Sequence, residues 1–298
     1  MGRIPRTRKA PESATMSPTV QAMELGLRLR ERREELGLTA VGVGRTSGIT
    51  QAYVSGVEIG KVKLPADRLT QLVKLYEIDP EDAAELEALR VGAMGRAWWQ
   101  QYKQLFPAEF LRFLGYEAGA DHVRTYQAEL IDGLLQTEAY ARAILRGGNT
   151  YVRLTETEQR IEVRLARQRR LTEDPALRVT AIFGEGAIRQ QVGGPEVMRD
   201  QLNHLATLMT RRPRQIRIHI VPYAAGAYPA LGGPFVILSF ASPRIPELVW
   251  QEVLTSSDII DQSNRVADYL VTFGETLERA LDFDESLALI RQLAQEMT

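Results

Sequence analysis

The chain of 298 residues is 44% hydrophobic and 25% charged with a formal net charge of −1, an ordinary composition for a water-soluble chain with room for two domains. It contains no cysteine, which excludes disulfides, thiolate nucleophiles and Cys-type zinc sites. No apolar run approaches the roughly 18 residues of a membrane span, and the basic residues Arg3, Arg6, Arg8 and Lys9 have no apolar segment behind them, so neither a membrane anchor nor a secretory signal is expected and the cytoplasm is the expected compartment.

The charge is unevenly spread. Residues 1–79 hold 13 Lys and Arg against 9 Asp and Glu, and the remainder 24 against 29. A basic head on an acidic body suits a chain whose head meets nucleic acid.

Residues 1–17 are polar, contain Pro5 and Pro11, and read as a disordered basic arm. Ser17-Pro18 caps and opens a helix that Gly37 closes. Leu25, Leu29 and Leu36 are expected to face inward. Arg28, Arg32 and Arg33 are expected outside, free for phosphates or for Glu24, Glu31 and Glu35.

The stretch Thr39–Lys61 reads as a short helix, a corner at Ser47-Gly48-Ile49, and a second helix capped by Thr50. Tyr53, Val54 and Val57 make its buried stripe. Gln51, Ala52, Ser55 and Gly56 are left on the free face. A short helix that offers Gln and Ser can lie in a major groove and read base edges. Lys61 and Lys63 follow, where phosphate contacts are expected. Gly42 and Gly44 each cost the first helix about 1 kcal/mol against Ala, so that helix is expected to be loose. Pro65 opens a fourth helix with Leu69, Leu72, Val73 and Tyr76 at helical spacing, and Pro80 a fifth with Leu86 and Leu89. The sum is a compact all-α, five-helix domain over 18–92.

This stretch resembles the helix-turn-helix of the Xre/lambda-repressor-like regulators. The match lies in the Leu38-Thr39 lead, the Gly48-Ile49-Thr50-Gln51 turn and the Tyr53-to-Lys61 tail. The resemblance implies that Thr50, Gln51, Ala52 and Ser55 face bases or phosphates, and that Glu58 and Gly60 end the recognition helix. Ala40 departs from the pattern, standing where these regulators often carry a phosphate-gripping Gln.

Gly92 and Gly95 mark a joint before a second domain over 96–298. Trp98, Trp99, Tyr102, Phe106, Phe110 and Phe113 read as core or seam. Helices are expected through Gly115–Arg124 and on to Arg146. Thr155-Glu156-Thr157-Glu158 reads as a capping box before a helix carrying the basic stripe Arg160, Arg164, Arg167 and Arg170. That stripe is open to pairing with acids, self-contact or nucleic acid. From Asp174-Pro175 the period shifts. Leu177–Phe183, Gln215–Val221, Phe235–Phe240 and Leu248–Val253 read as strands, and Pro195–Met209, Asp258–Leu281 and Asp284–Glu296 as helices. This is an α+β domain with a small mixed sheet and packed helices.

Several phrases here resemble one uncharacterised domain that follows Xre-type helix-turn-helices in actinobacterial, streptomycete-like regulators. They are Trp98-Trp99, Gly133-Leu-Leu-Gln-Thr-Glu-Ala-Tyr-Ala-Arg142, Arg164-Leu-Ala-Arg-Gln168, Gly193–Leu202, Val221–Gly226 with Gly233-Pro-Phe235, and Glu285–Ile290. Ile131-Asp132 departs from the usual Val-Pro. The resemblance implies a transcription factor linked to development or secondary metabolism, often with a small partner protein encoded nearby.

Catalytic signatures are sparse. His122, His204 and His219 are the only histidines, and none form the i, i+4 pair that seats a metal. Gly184-Glu-Gly186 lacks the third glycine of a dinucleotide fingerprint. Glu185 and Glu252, each near a strand end, are candidates to line a ligand pocket with Arg189, His219, Tyr223 and Trp250. The expectation is a non-enzymatic, homodimeric, sequence-specific regulator of double-stranded DNA with no cofactor or metal, whose second domain binds an effector or partner. The alternatives are an antitoxin-like module holding a small partner, or an enzyme addressed to DNA.

Overall fold

A computed structural model describes residues 16–147, 154–253 and 256–297. The arm expected over 1–17 lies, up to residue 15, outside the described residues. Five helices come first: α1 (Pro18–Glu35), α2 (Ala40–Ser47), α3 (Gln51–Glu58), α4 (Ala66–Leu75) and α5 (Pro80–Ala93). A 3-10 turn at Trp98–Tyr102 leads to α6 (Ala108–Gly119) and β1 (His122–Gln127). Then come α7 (Glu138–Gly147), α8 (Thr157–Gln168), β2 (Arg178–Gly184), α9 (Glu185–Arg189), α10 (Pro195–Arg211) and β3 (Ile216–Val221). The series closes with β4 (Phe235–Ser239), β5 (Leu248–Val253), β6 (Ser256–Ile260), α11 (Ser263–Leu277) and α12 (Phe283–Glu296).

The described residues fall into two compact units. The first lies within Met1–Tyr102, Leu114–Gly119 and Phe240–Ile245; the second within Lys103–Phe113, Ala120–Ser239 and Pro246–Thr298. The first unit thus runs past the joint expected at Gly92–Gly95 and takes back two short pieces from later in the chain.

In the first unit Leu25, Leu29, Val43, Val54, Val57, Leu69, Leu72, Tyr76 and Leu86 share one core. Ser17 caps α1 by accepting from Val20 N at 3.2 Å and donates its own proton to Gly115 O at 2.5 Å. The crossing of α1 on α3 is close because Gly26 carries no side chain. A β-carbon there would stand 2.6 Å from Glu58 O and collide with Val57 O. Gly44, expected to loosen α2, is required by the corner instead. A β-carbon on it would lie 2.7 Å from Ile49 O and 3.3 Å from Gln51 N.

The second unit is built on a six-stranded sheet in the order β3-β2-β1-β4-β5-β6. β1, β2 and β3 run parallel, and β4, β5 and β6 each pair antiparallel with the strand before them in that order. One face carries Tyr126, Ile182, Val221, Phe235, Ile237, Val249 and Ile260 against Val266 and Phe273 of α11. On the other, Phe113 of α6 stacks on Trp250 at 4.7 Å and 18°. The fold is the expected α-helical unit followed by an α+β unit.

Three local expectations are corrected. Residues 122–127 form the central strand β1 rather than helix. Its polar side chains are paired, His122 Nε2 with Thr180 Oγ1 at 2.9 Å and Arg124 with Ser239 and Glu247, so a buried strand does not show a plain apolar run. The helix expected from Asp258 begins at Ser263, because 256–260 pairs with β5. No side-chain cap forms at the start of α8, whereas α12 has a complete capping box between Asp282 and Glu285.

Substituting Gly26→Ala tests the α1–α3 crossing. Alanine favours helix by about 1 kcal/mol, yet the collision with the α3 backbone should leave the protein about 1–3 kcal/mol less stable, read from urea denaturation followed by circular dichroism.

Candidate nucleic-acid interface

The corner between α2 and α3 is set by local chemistry. Gly48 closes α2 at φ 68°, a left-handed conformation open to glycine without steric cost. Thr50 then accepts from Tyr53 N at 3.1 Å and caps α3. Gln71 of α4 ties the corner down by donating to Ser47 O at 2.7 Å.

Helix α3 is pinned from behind. Val54, Val57 and Glu58 are buried. Arg33 of α1 meets the Glu58 carboxylate with one edge of its guanidinium, Nε to Oε1 at 2.6 Å and Nη2 to Oε2 at 3.0 Å, and its Nη1 donates to Leu38 O at 2.7 Å. The hydrogen bonds to Glu58 raise the Arg33 pKa above its ordinary value against the opposing effect of burial. Arg33, expected outside, is therefore an internal strut. Arg28 pairs with Glu24 and Glu85, and Arg32 with Glu35 and Tyr76 O. Beside the strut, burial pushes the Tyr76 phenol up to about 12, with Glu58 adding to the rise.

With the back of α3 held, its front is open. Thr50, Gln51 and Ala52 are exposed, Ser55 is half-buried, and Lys61 and Lys63 are exposed beyond the helix. Gly56 is not part of that front: a β-carbon on it would stand 2.6 Å from Val62 Cγ2. Its role is to let the chain fold back, with Lys61 N and Val62 N donating to Gly56 O at 2.9 and 3.0 Å. Tyr53 is half-buried, and burial raises its phenol pKa. The structure adds Arg45, exposed in the last turn of α2, which the sequence pattern did not single out.

Only some of the residues proposed to line a pocket in the second unit come together. Glu185 pairs with Arg189 Nε at 2.5 Å and accepts from Tyr223 N at 2.7 Å, so these three are together. β2 and β5 are separated by β1 and β4, about 14 Å at the usual strand spacing, which keeps Trp250 and Glu252 away from Glu185. His219 pairs in register with Ile182 on the α11 side, and its Nδ1 is 3.1 Å from Leu281 O. Trp250 lies on the opposite face against α6. Burial lowers the His219 pKa.

The arginine stripe of α8 is turned toward its own unit. Arg160 bonds Leu105 O and Glu156 and covers Phe106. Arg164 bonds Gln136, Arg167 covers Phe113, and Arg170 reaches Ala120 O and Pro175 O. Gln168 donates to Gly133 O and Gln136 O, and Gln201 to Leu135 O. Two of the separated sequence phrases thus bond to each other, and a third joins them through Gln201.

Residues 24–86 match the helix-turn-helix domain family, and residues 110–292 match the domain of unknown function DUF5753. The chain belongs to the DUF5753 family. No curated protein and no solved structure matches it. The helix-turn-helix match supports a DNA-binding regulator, with DUF5753 as its larger second part. Among the described residues no helix is long and apolar enough to cross a membrane.

The strut can be tested by a double-mutant cycle. Glu58→Leu alone should cost about 3 kcal/mol by stripping the buried Arg33 of its two-bond partner and leaving it only the exposed Glu34 at 3.2 Å. Glu58→Leu combined with Arg33→Leu should recover a large part of that loss, as measured by chemical denaturation.

Proposed function

We propose that this chain is a sequence-specific transcriptional regulator of the Xre type, of actinobacterial kind, that binds double-stranded DNA as a homodimer in the cytoplasm. Helix α3 enters the major groove and presents Thr50, Gln51, Ala52 and Ser55 to base edges, while Lys61 and Lys63 take phosphates. The observation that carries this reading is the two-sided character of α3. Its back is fixed by Val54, Val57 and the Arg33–Glu58 pair, and Thr50, Gln51 and Ala52 at its start are exposed. A side-chain amide such as Gln51 can pair with adenine through two hydrogen bonds. Two copies place their helices about one turn of DNA apart, roughly 34 Å. The DUF5753 unit binds an effector or a partner protein and acts by binding rather than turnover.

The test is fluorescence anisotropy on DNA from the region upstream of the gene, compared with scrambled DNA of equal length. Gln51→Ala should weaken specific binding by about 1–3 kcal/mol and leave scrambled DNA nearly unaffected. For the wild type, log K should fall with log salt by about 0.9 per phosphate neutralised. Equal loss on both DNAs would remove Gln51 from base reading.

A further inference from the structure

Arg164 is a partly buried cation of the second unit with no acidic hydrogen-bond partner among the described residues. It is half-buried in α8. Among the described residues its guanidinium has one hydrogen bond, from Nη1 to the neutral Gln136 Oε1 at 2.6 Å. A guanidinium carries five N–H donors in a planar fork, so the Nε–Nη2 edge has no partner among those residues. The nearby acid is committed elsewhere: Asp132 Oδ2 accepts from Thr125 Oγ1 at 3.1 Å, and Asp132 Oδ1 accepts from Leu134 N at 2.8 Å. Asp132 and Glu252 reach Arg164 only through their fields, and burial together with Arg167 lowers its pKa to about 10, still cationic near neutral pH.

The surroundings keep that edge open. A β-carbon at Gly133 would stand 3.0 Å from Arg167 Nη1, a tight contact, and 3.7 Å from Arg164 Nε, an ordinary one, so the missing side chain leaves room beside the two guanidiniums. Next to it, Arg167 lies 5.4 Å from the Phe113 ring centroid, and Phe113 stacks on Trp250. Cation and stacked rings thus adjoin within one unit. Arg167 adds a second positive charge beside Arg164, and Asp132 and Glu252 offset it, so the surroundings suit a single negative charge.

We propose that the free edge of Arg164 anchors a small-molecule site of the DUF5753 unit, and that its ligand is a monocarboxylic acid with a flat aromatic body. The carboxylate takes two parallel hydrogen bonds from Nε and Nη2, and the ring lies toward Phe113 and Trp250. This rests on the reading of the second unit as effector-binding and names the chemistry of that effector. Gly133 and Arg164 belong to the two sequence phrases that bond to each other through Gln136 and Gln168, so the site and the scaffold that holds it are built together.

The test uses the full chain without DNA, titrated with benzoate, 2-naphthoate, benzamide and inorganic phosphate, with melting temperature and Trp fluorescence as readouts. The two aromatic carboxylates should bind saturably and raise Tm, and benzamide and phosphate should not. Arg164→Met should weaken carboxylate binding by about tenfold or more, while Arg169→Met, at an exposed position nearby, should leave it unchanged. If Arg164→Met does not fold, the side-chain Nε resonance of Arg164 in the wild type supplies the readout and should shift with benzoate. Absence of saturable binding up to about 10 mM, a range that covers weak fragments, would overturn the site. So would equal binding of benzoate and benzamide, or preference for phosphate. Failure here leaves groove recognition untouched, because no DNA enters the measurement.

Discussion

The placement of α3 depends on one buried ion pair. Arg33 and Glu58 have side chains 10% and 7% exposed and meet through two parallel hydrogen bonds. Taking both charges out of water is costly, and their attraction offsets that cost only in a near-ideal geometry. The same geometry makes the pair directional. A hydrophobic contact would tolerate rotation of α3 about its axis, whereas a forked guanidinium on a carboxylate does not. Leu38 O, bonded by the same arginine, fixes the approach to α2. One side chain thus orients α3 and holds the strand of chain that leads into the helix before it.

The second unit solves a different problem with neutral groups. The segment between β1 and α7 is irregular yet largely buried, with Ile131, Leu134 and Leu135 at most 1% exposed. Irregular backbone cannot satisfy its own carbonyls as a helix does. Side-chain amides satisfy them here: Gln136 bonds Ile131 O, Gln168 bonds Gly133 O and Gln136 O, and Gln201 bonds Leu135 O. Amides carry no net charge, so the cost of burying them is recovered by ordinary hydrogen bonds.

The parts legible in the sequence were those governed by neighbours along the chain. The caps at Ser17 and Thr50, the left-handed glycine at 48 and the 3.6-residue stripes of α4 and α5 are local, and each appears where the pattern places it. Four strands of the sheet were legible from their apolar runs. β1 was not, because its polar residues are matched by partners as far as Glu247, 123 positions away. β6 was not, because its register with β5 is a tertiary fact. Glu185 and Glu252 each stand near a strand end, but local pattern does not give strand order, and β1 and β4 lie between β2 and β5. Arg33 was misplaced for the same kind of reason, since its partner lies 25 positions along the chain. The two-sided burial of α3 was legible because the helix is short and its apolar residues Val54 and Val57 fall on one side.

The return of 114–119 and 240–245 to the first unit bears on the order in which the protein comes into being. Ser17 at the start of α1 donates to Gly115, 98 positions later. Tyr116 packs edge-on against Phe240, and Arg244 pairs with Glu31. The helices that carry α3 leave the ribosome before those two segments, at a pace of about 5–20 residues per second. They cannot finish their packing until a chain more than twice the length of the helix-turn-helix segment has followed. Closing such long loops costs entropy before any contact rewards it. A nascent or truncated chain ending near residue 102 would hold its five helices with the start of α1 uncovered. The DNA-binding unit is thus completed only when most of the DUF5753 region has been made.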